Sequence, residues 1–232
     1  MSVPSTFYVP GPWPLTPGPW SLPYGTLNSM ADKQASALLI VDVQNDFCPG
    51  GALEVPRGDR VVAALNRLVD RLEPQGVPIY ASRDWHPAES RHFKAYGGIW
   101  PVHCVANTPG AAFRADLRLP REVIVVSKGQ QPDSHGYSAF EGQTPAGERL
   151  GDDLRGRGVT HLYVSGLATD YCVRHSVLDA LKSGLRVTLL TDAIAGVDVQ
   201  PGDSARALDE MTRAGATLAT TEDVIKTVLQ HP

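Results

Sequence analysis

The sequence predicts an α/β protein: a three-layer α-β-α sandwich around a mainly parallel sheet of about six strands. Three observations lead there. Short, nearly continuous apolar runs recur along the chain, as strands buried on both faces require. Between them, apolar residues return at helical spacing. Polar residues with useful chemistry stand directly after the runs, where open α/β sheets bind their ligands.

The elements follow in order. Ala37-Leu38-Leu39-Ile40-Val41 is the first run, and Val61, Leu65, Leu68, Val69 and Leu72 then mark one helix face. Val77 to Ala81 is the second run, and Val123 to Val126 the third, ending at Lys128. His161 to Val164 is the fourth, followed by a helix from near Asp170 to Ser183 with Gly184 as its C-terminal cap. Arg186 to Leu190 is the fifth. A helix over Ser204 to Arg213, a weak strand over Thr217 to Thr220 and a last helix over Glu222 to Leu229 complete the series, with Thr221 expected to cap the last helix. Strands alternating with helices pair in parallel through right-handed crossovers, which puts helices on both faces.

Residues 1–35 differ from the rest. Pro4, Pro10, Pro12, Pro14, Pro17, Pro19 and Pro23 each lack an N–H and fix φ, which excludes helix and central strand. Phe7, Trp13, Trp20 and Tyr24 lie among them, and residues 1–30 hold no Lys, Arg or apolar h-region, so a secretory signal is not expected. A proline-rich flexible extension is expected over 1–35, ahead of one domain over 36–232, and Met30 is an alternative start.

The 232 residues, 42% hydrophobic and 20% charged, suit a single packed core. A net charge of −4 gives no reason to expect nucleic acid or an anionic membrane as partner. No apolar run approaches the ~20 residues that span a bilayer. The three cysteines, Cys48, Cys104 and Cys172, form no CxxC pair, which argues against a disulfide scaffold. A cytoplasmic protein is expected, and a homo-oligomer stays open.

The residues after the runs are Asp42, Arg83 and Asp84, Lys128, Gly166 to Cys172, and Asp192. Cys172 falls in the first turn of a helix, where free N–H groups stabilise a thiolate and lower its pKa from about 8.5. A buried packing cysteine is the plainer alternative. Asp42 closes a buried strand, so poor solvation should raise its pKa toward that of a usable base. The alternative is a turn cap. Lys128 would balance these charges, or else snorkel at the surface. Asp84 and His86 are two apart and share a side of an extended chain, with His92 and His103 close behind. Carboxylate plus imidazole favours zinc, iron, manganese or nickel over calcium or magnesium. Surface-loop histidines are the alternative. His135, His161, His175 and His231 lack such company and read as ordinary.

The stretches Ile40–Leu53, Ser82–Pro87 with Arg91–Phe93, Trp100–Val105, Ser127–Gly129 and Ser165–Val173 resemble, in order, those of the nicotinamidase/pyrazinamidase branch of the isochorismatase-like cysteine hydrolases. The resemblance implies Asp42, Lys128 and Cys172 as catalytic residues and Asp84, His86 and His103 as ligands of one divalent metal ion, zinc first, iron or manganese otherwise. His92 matches a position that is histidine in some members and serine in others. Phe47 and Trp100 match the aromatic walls of a substrate pocket, with Leu167 beside them and Tyr137 as a third wall. Tyr137 follows a stretch, Gly129 to Gly136, that departs from the family's forms. A cis peptide between Leu167 and Ala168 is implied, aiming the N–H groups of Ala168 and Cys172 at an oxyanion. The implied substrate is a small amide, nicotinamide foremost. Rival readings are an isochorismatase, a carbamoyl-amide hydrolase and a non-catalytic metal or thiol sensor; the metal cluster speaks against the first two.

Overall fold

The computed structural model describes residues 36–229, so the proline-rich segment and Met30 lie outside the described residues. Six strands form one sheet: β1 (Ser36–Val41), β2 (Ile79–Asp84), β3 (Ile124–Lys128), β4 (His161–Leu167), β5 (Arg186–Ala195) and β6 (Thr217–Ala219). Their order is β3-β2-β1-β4-β5-β6, and every neighbouring pair is parallel. The sheet grows one way from β1 to β3 and the other way from β4 to β6. The carboxyl ends of β1 and β4 therefore flank the switch point, the crevice where such sheets bind ligands.

Side chains of β1 alternate between two cores, as strand pleating dictates. Leu38 and Ile40 enter the core built with α1 (Val61–Leu72) and α5 (Thr221–Leu229). Ala37, Leu39 and Val41 enter the one built with α2 (Leu150–Gly156), α3 (Arg174–Lys182) and α4 (Asp203–Arg213). The result is the predicted α-β-α sandwich. Leu65, Leu68 and Leu72 of α1 are fully buried, each stabilising the fold by about 1.5–3 kcal/mol. No helix of the described residues is long and apolar enough to cross a membrane.

Three details depart from the sequence reading. Helix α2 was unassigned, because its seven residues carry Gly151 and Gly156 and only Leu150 and Leu154 to mark a face. Strand β5 runs on to Ala195, past the predicted end at Leu190. Thr191 and Asp192 are exposed, which ends the apolar pattern, and the β4–β5 register shifts between Val164 and Gly166. The cap of α5 is Thr220, not Thr221: Thr220 Oγ1 accepts from Asp223 N (3.2 Å) and Asp223 Oδ2 from Thr220 N (2.9 Å). Thr221 instead binds Asp192, through N (2.8 Å) and Oγ1 (2.6 Å). Gly184 takes φ +83° after α3, as a C-terminal cap requires.

Candidate active site

The chain leaves β1 at Asp42, which has φ +49° and turns its carboxylate into the protein. Asp accepts this left-handed conformation more readily than most residues. Ser82 of the neighbouring strand donates to Asp42 Oδ1 (2.7 Å). Lys128, the last residue of β3, lays its ammonium 2.7 Å from Asp42 Oδ2. The same ammonium pairs with Asp84 Oδ1, at the end of β2, and donates to Gly136 O (2.6 Å). Asp42 Oδ2 faces the ammonium as an ion pair without a hydrogen bond, and the third N–H is directed at sulfur. The thiol of Cys172 stands 3.5 Å from the same Nζ. Three strand ends and the β4–α3 turn therefore bring together the predicted trio.

All these groups are buried, and their charges decide their protonation. Burial pushes the Asp42 carboxyl up to about 6, against the pull of Lys128. Burial acts on Asp84 the same way, but Lys128 and the neighbouring imidazoles outweigh it and hold that carboxyl well below the usual range. Lys128 stays charged: burial opposes the charge, and the two carboxylates overcome it. Cys172 corrects the sequence expectation. Burial, with Asp42 and Asp84 adding to it, drives its thiol well above the ordinary value despite Lys128. Its turn, Thr169–Val173, is a π-helical loop in which Ala168 O accepts from Tyr171 N (3.0 Å) and Val173 N (3.1 Å). Desolvation outweighs the pull of Lys128, so Cys172 rests as a thiol. The Leu167–Ala168 peptide is cis.

A second group of ligand-type residues adjoins the first. His86, His92 and His103 face one another, with ring centroids 4.9–5.4 Å apart. His86 Nδ1 lies 3.1 Å from Gly129 O, and His103 Nδ1 lies 2.8 Å from Pro101 O. A carbonyl only accepts, so each Nδ1 carries the hydrogen and each Nε2 is bare. Those bare nitrogens point at Asp84 Oδ2, 3.5 Å from His86 and 3.8 Å from His103. His86 Nε2 is fully buried without a hydrogen-bond partner. Acceptors converging on one buried point, with Nδ1 donating outward, are what a divalent cation of imidazole and carboxylate preference requires. Burial, with His86 and His103 nearby, pushes His92 down to about 3, which keeps it neutral for binding. Asp42, Asp84 and Cys172 also cluster, but the Lys128 ammonium already fills that space. The residues present fit a metal beside Asp84, not beside Cys172.

Local scaffolding explains the convergence. Gly129, at φ +67°, passes so close to His86 that a Cβ would lie 2.4 Å from its ring. Gln44 holds the Asp84 backbone by both ends, donating to its O (2.9 Å) and accepting from its N (2.8 Å). Asp46 Oδ2 accepts from Cys104 N (2.7 Å), which fixes the residue after His103.

A cavity joins the two groups. It is lined by Phe47, Trp100, Tyr137, Ala168 and Cys172 with Asp84, His92 and His103, as the sequence predicted, and by Leu53, Tyr171 and Val197, which it did not. Trp100 Nε1 donates to Tyr137 Oη (2.9 Å), so Tyr137 is seated as the third aromatic wall. Leu167 is a correction: its side chain is fully buried in the core, packed toward Gly58, and its neighbour Ala168 lines the cavity instead. His135 is another correction, since it lies against His92 rather than apart. Asp192 and Arg83 also face elsewhere, toward Thr221 and toward Trp85 and Ser127.

A family model described as the isochorismatase domain matches residues 36–223. The chain belongs to the isochorismatase family. Among curated members, it is similar to the nicotinamidase of Escherichia coli (strain K12), 44% identical over 81% of this chain and 95% of that one. It is also similar to the nicotinamidase/pyrazinamidase of Mycobacterium tuberculosis, 40% identical over 78% of this chain and 97% of the relative. Among solved structures, the pyrazinamidase of Pyrococcus horikoshii in complex with zinc superposes with a TM-score of 0.74 at 46% identity, over 80% of this chain and 99% of that one. The six-stranded sheet flanked by helices is shared with that solved structure, and a shared fold does not by itself fix function.

Proposed function

We propose that the protein is a nicotinamidase, which hydrolyses nicotinamide, and pyrazinamide, to the acid and ammonia through a cysteine thioester. One observation carries the reading: a buried Asp42–Lys128–Cys172 group and an Asp84–His86–His92–His103 group open into the same aromatic cavity. The similar proteins named for nicotinamide and pyrazinamide hydrolysis support the substrate, and the neighbour in complex with zinc supports a metal.

The flat ring enters between Phe47, Trp100 and Tyr137. Asp42 takes the thiol proton, and Cys172 Sγ bonds to the amide carbon. The carbonyl electrons move to oxygen, held by the N–H groups of Ala168 and Cys172. When they return, the C–N bond breaks and the nitrogen takes the proton from Asp42, leaving as ammonia. Asp42 then accepts a proton from water, whose oxygen attacks the thioester and frees the acid. The proton returns to the sulfur. Lys128 keeps the two carboxylates from repelling each other throughout. Asp84, His86, His92 and His103 would hold a divalent ion, zinc first, which when bound supplies a Lewis-acid contact to the ring nitrogen, directly or through water. A cytoplasmic setting fits the three free cysteines.

Ammonia release from nicotinamide, pyrazinamide and a panel of carbamoyl amides tests this. The expected result is turnover of the two pyridine- or pyrazine-type amides and its loss in Cys172→Ala, whereas wild-type rates in that variant would sink the mechanism.

A further inference from the structure

His86 and His103 have their Nδ1 hydrogens taken by backbone carbonyls, which fixes both tautomers. His92 is held differently. Its Nδ1 lies 3.2 Å from Nδ1 of His135, with ring centroids 5.5 Å apart. Two ring nitrogens at that distance form a hydrogen bond only if one carries the hydrogen and the other is bare.

We propose that His135 is the positioning residue of the His92 ligand: His135 Nδ1 accepts the His92 Nδ1–H and leaves the His92 Nε2 lone pair for the metal ion. This rests on the metal reading above. The partner is itself held in place. The His135 ring stacks on Tyr137 at 6.0 Å and 21°, and Tyr137 is fixed by Trp100 Nε1 (2.9 Å) and by His175, stacked at 5.2 Å and 18°. The next residue, Gly136, takes φ +64° and gives its carbonyl to Lys128. The segment from Gly129 to Tyr137 therefore touches the metal ligands, the lysine and the ring wall together. His135 is exposed while His92 is buried.

The test is zinc affinity of the full chain, read by competition with a chromophoric chelator. Loss of such an outer partner costs about 10-fold or more in affinity, so His135→Ala should weaken binding by about 10-fold. Asn places its amide oxygen where Nδ1 stands, so His135→Asn should bind within about 3-fold of wild type. Gln places its polar group at the far ring nitrogen, so His135→Gln should behave as alanine does. In a His92→Ala background, His135→Ala should cost nothing further, because its effect passes through His92. The proposal is overturned if His135→Ala or His135→Gln binds as tightly as wild type, if Asn falls as far as Ala, or if the double variant loses more than His92→Ala. Should the alanine variant not fold, the Asn–Gln comparison decides alone. Wild-type protein that binds no zinc overturns the metal reading and this proposal together. Wild-type binding that ignores His135 overturns only this one.

Discussion

Lys128 is one cation shared by two carboxylates and a thiol, so removing it leaves uncompensated buried charge. Lys128→Met should abolish turnover and cost about 3–5 kcal/mol of stability, measured by urea unfolding. A stability within experimental error of wild type would contradict the buried ion-pair account. Gly129→Ala would drive a methyl into the His86 ring. It should lower zinc affinity and, because φ +67° strains alanine, also cost about 1 kcal/mol or more of stability in chelator; equal zinc affinities would count against the fit. At this scale the sequence was most legible where a charged residue closes an apolar run, directly as Asp42 does or one residue on as Lys128 does. Gln44 and His135 were illegible, because their partners, Asp84 and His92, stand 40 and 43 residues away. Leu167 misled because residue identity does not say which side of the strand end its side chain takes, and it takes the core side. Cys172 misled because a helix-end argument leaves out burial, which here pushes the thiol up.

Helix and strand ends carry their own consequences. His161 opens β4, and its Nε2 lies 2.9 Å from Thr188 Oγ1, which lies 2.8 Å from Thr217 Oγ1. This chain of polar groups crosses β4, β5 and β6 and uses a neutral imidazole. Burial, and then the charge of Arg186, push His161 down to about 4 from an unfolded value near 6.5. Between those values the unfolded chain binds the extra proton, so stability is complete above the unfolded pKa and is lost as pH falls toward about 4. One proton gives at most about 1.4 kcal/mol per pH unit. His161→Gln should flatten the dependence of unfolding free energy on pH in this window; an unchanged slope would show that other groups set it. Such detail was out of reach from sequence, where His161 reads as an ordinary strand residue. Apolar runs did mark β1 to β5, whose middle residues are buried on both faces. Short polar α2 and the exposed far end of β5 escaped because neither has a pattern to read.

Taken whole, the molecule departs from simple βαβ alternation at one place. No α-helix bridges β2 and β3; residues 85–123 cross over with only the short turn Lys94–Tyr96 among the helical pieces. Long connections of this kind are usually functional, and this one carries His86, His92 and His103. A bound ion would therefore hold the connection as well as the ring. At about 100-fold excess over its dissociation constant an ion adds about 2.7 kcal/mol, and each kcal/mol shifts Tm by about 2–4 °C at this size. Chelation should lower Tm by roughly 5–10 °C and speed amide exchange in 85–123 before the sheet. Uniform exchange across both would refute this staple role. The carboxyl-end rim, by contrast, was readable in advance, because it follows from parallel strands and right-handed crossovers rather than from any single residue, whereas the switch point itself needed the strand order.

The three thiols also bear on how the protein responds to electrophilic probes. Cys48 and Cys104 are completely enclosed, and Cys172 shows 7% of its surface, all three with thiols pushed upward by burial. A small indiscriminate alkylator therefore meets no ready thiolate anywhere in the described chain. A warhead mounted on a planar ring that slides between Trp100 and Phe47 meets Cys172, where in the proposed mechanism Asp42 takes the thiol proton. Selectivity among the cysteines is then decided by shape before intrinsic reactivity, and the covalent ligand worth designing is one that looks like the substrate.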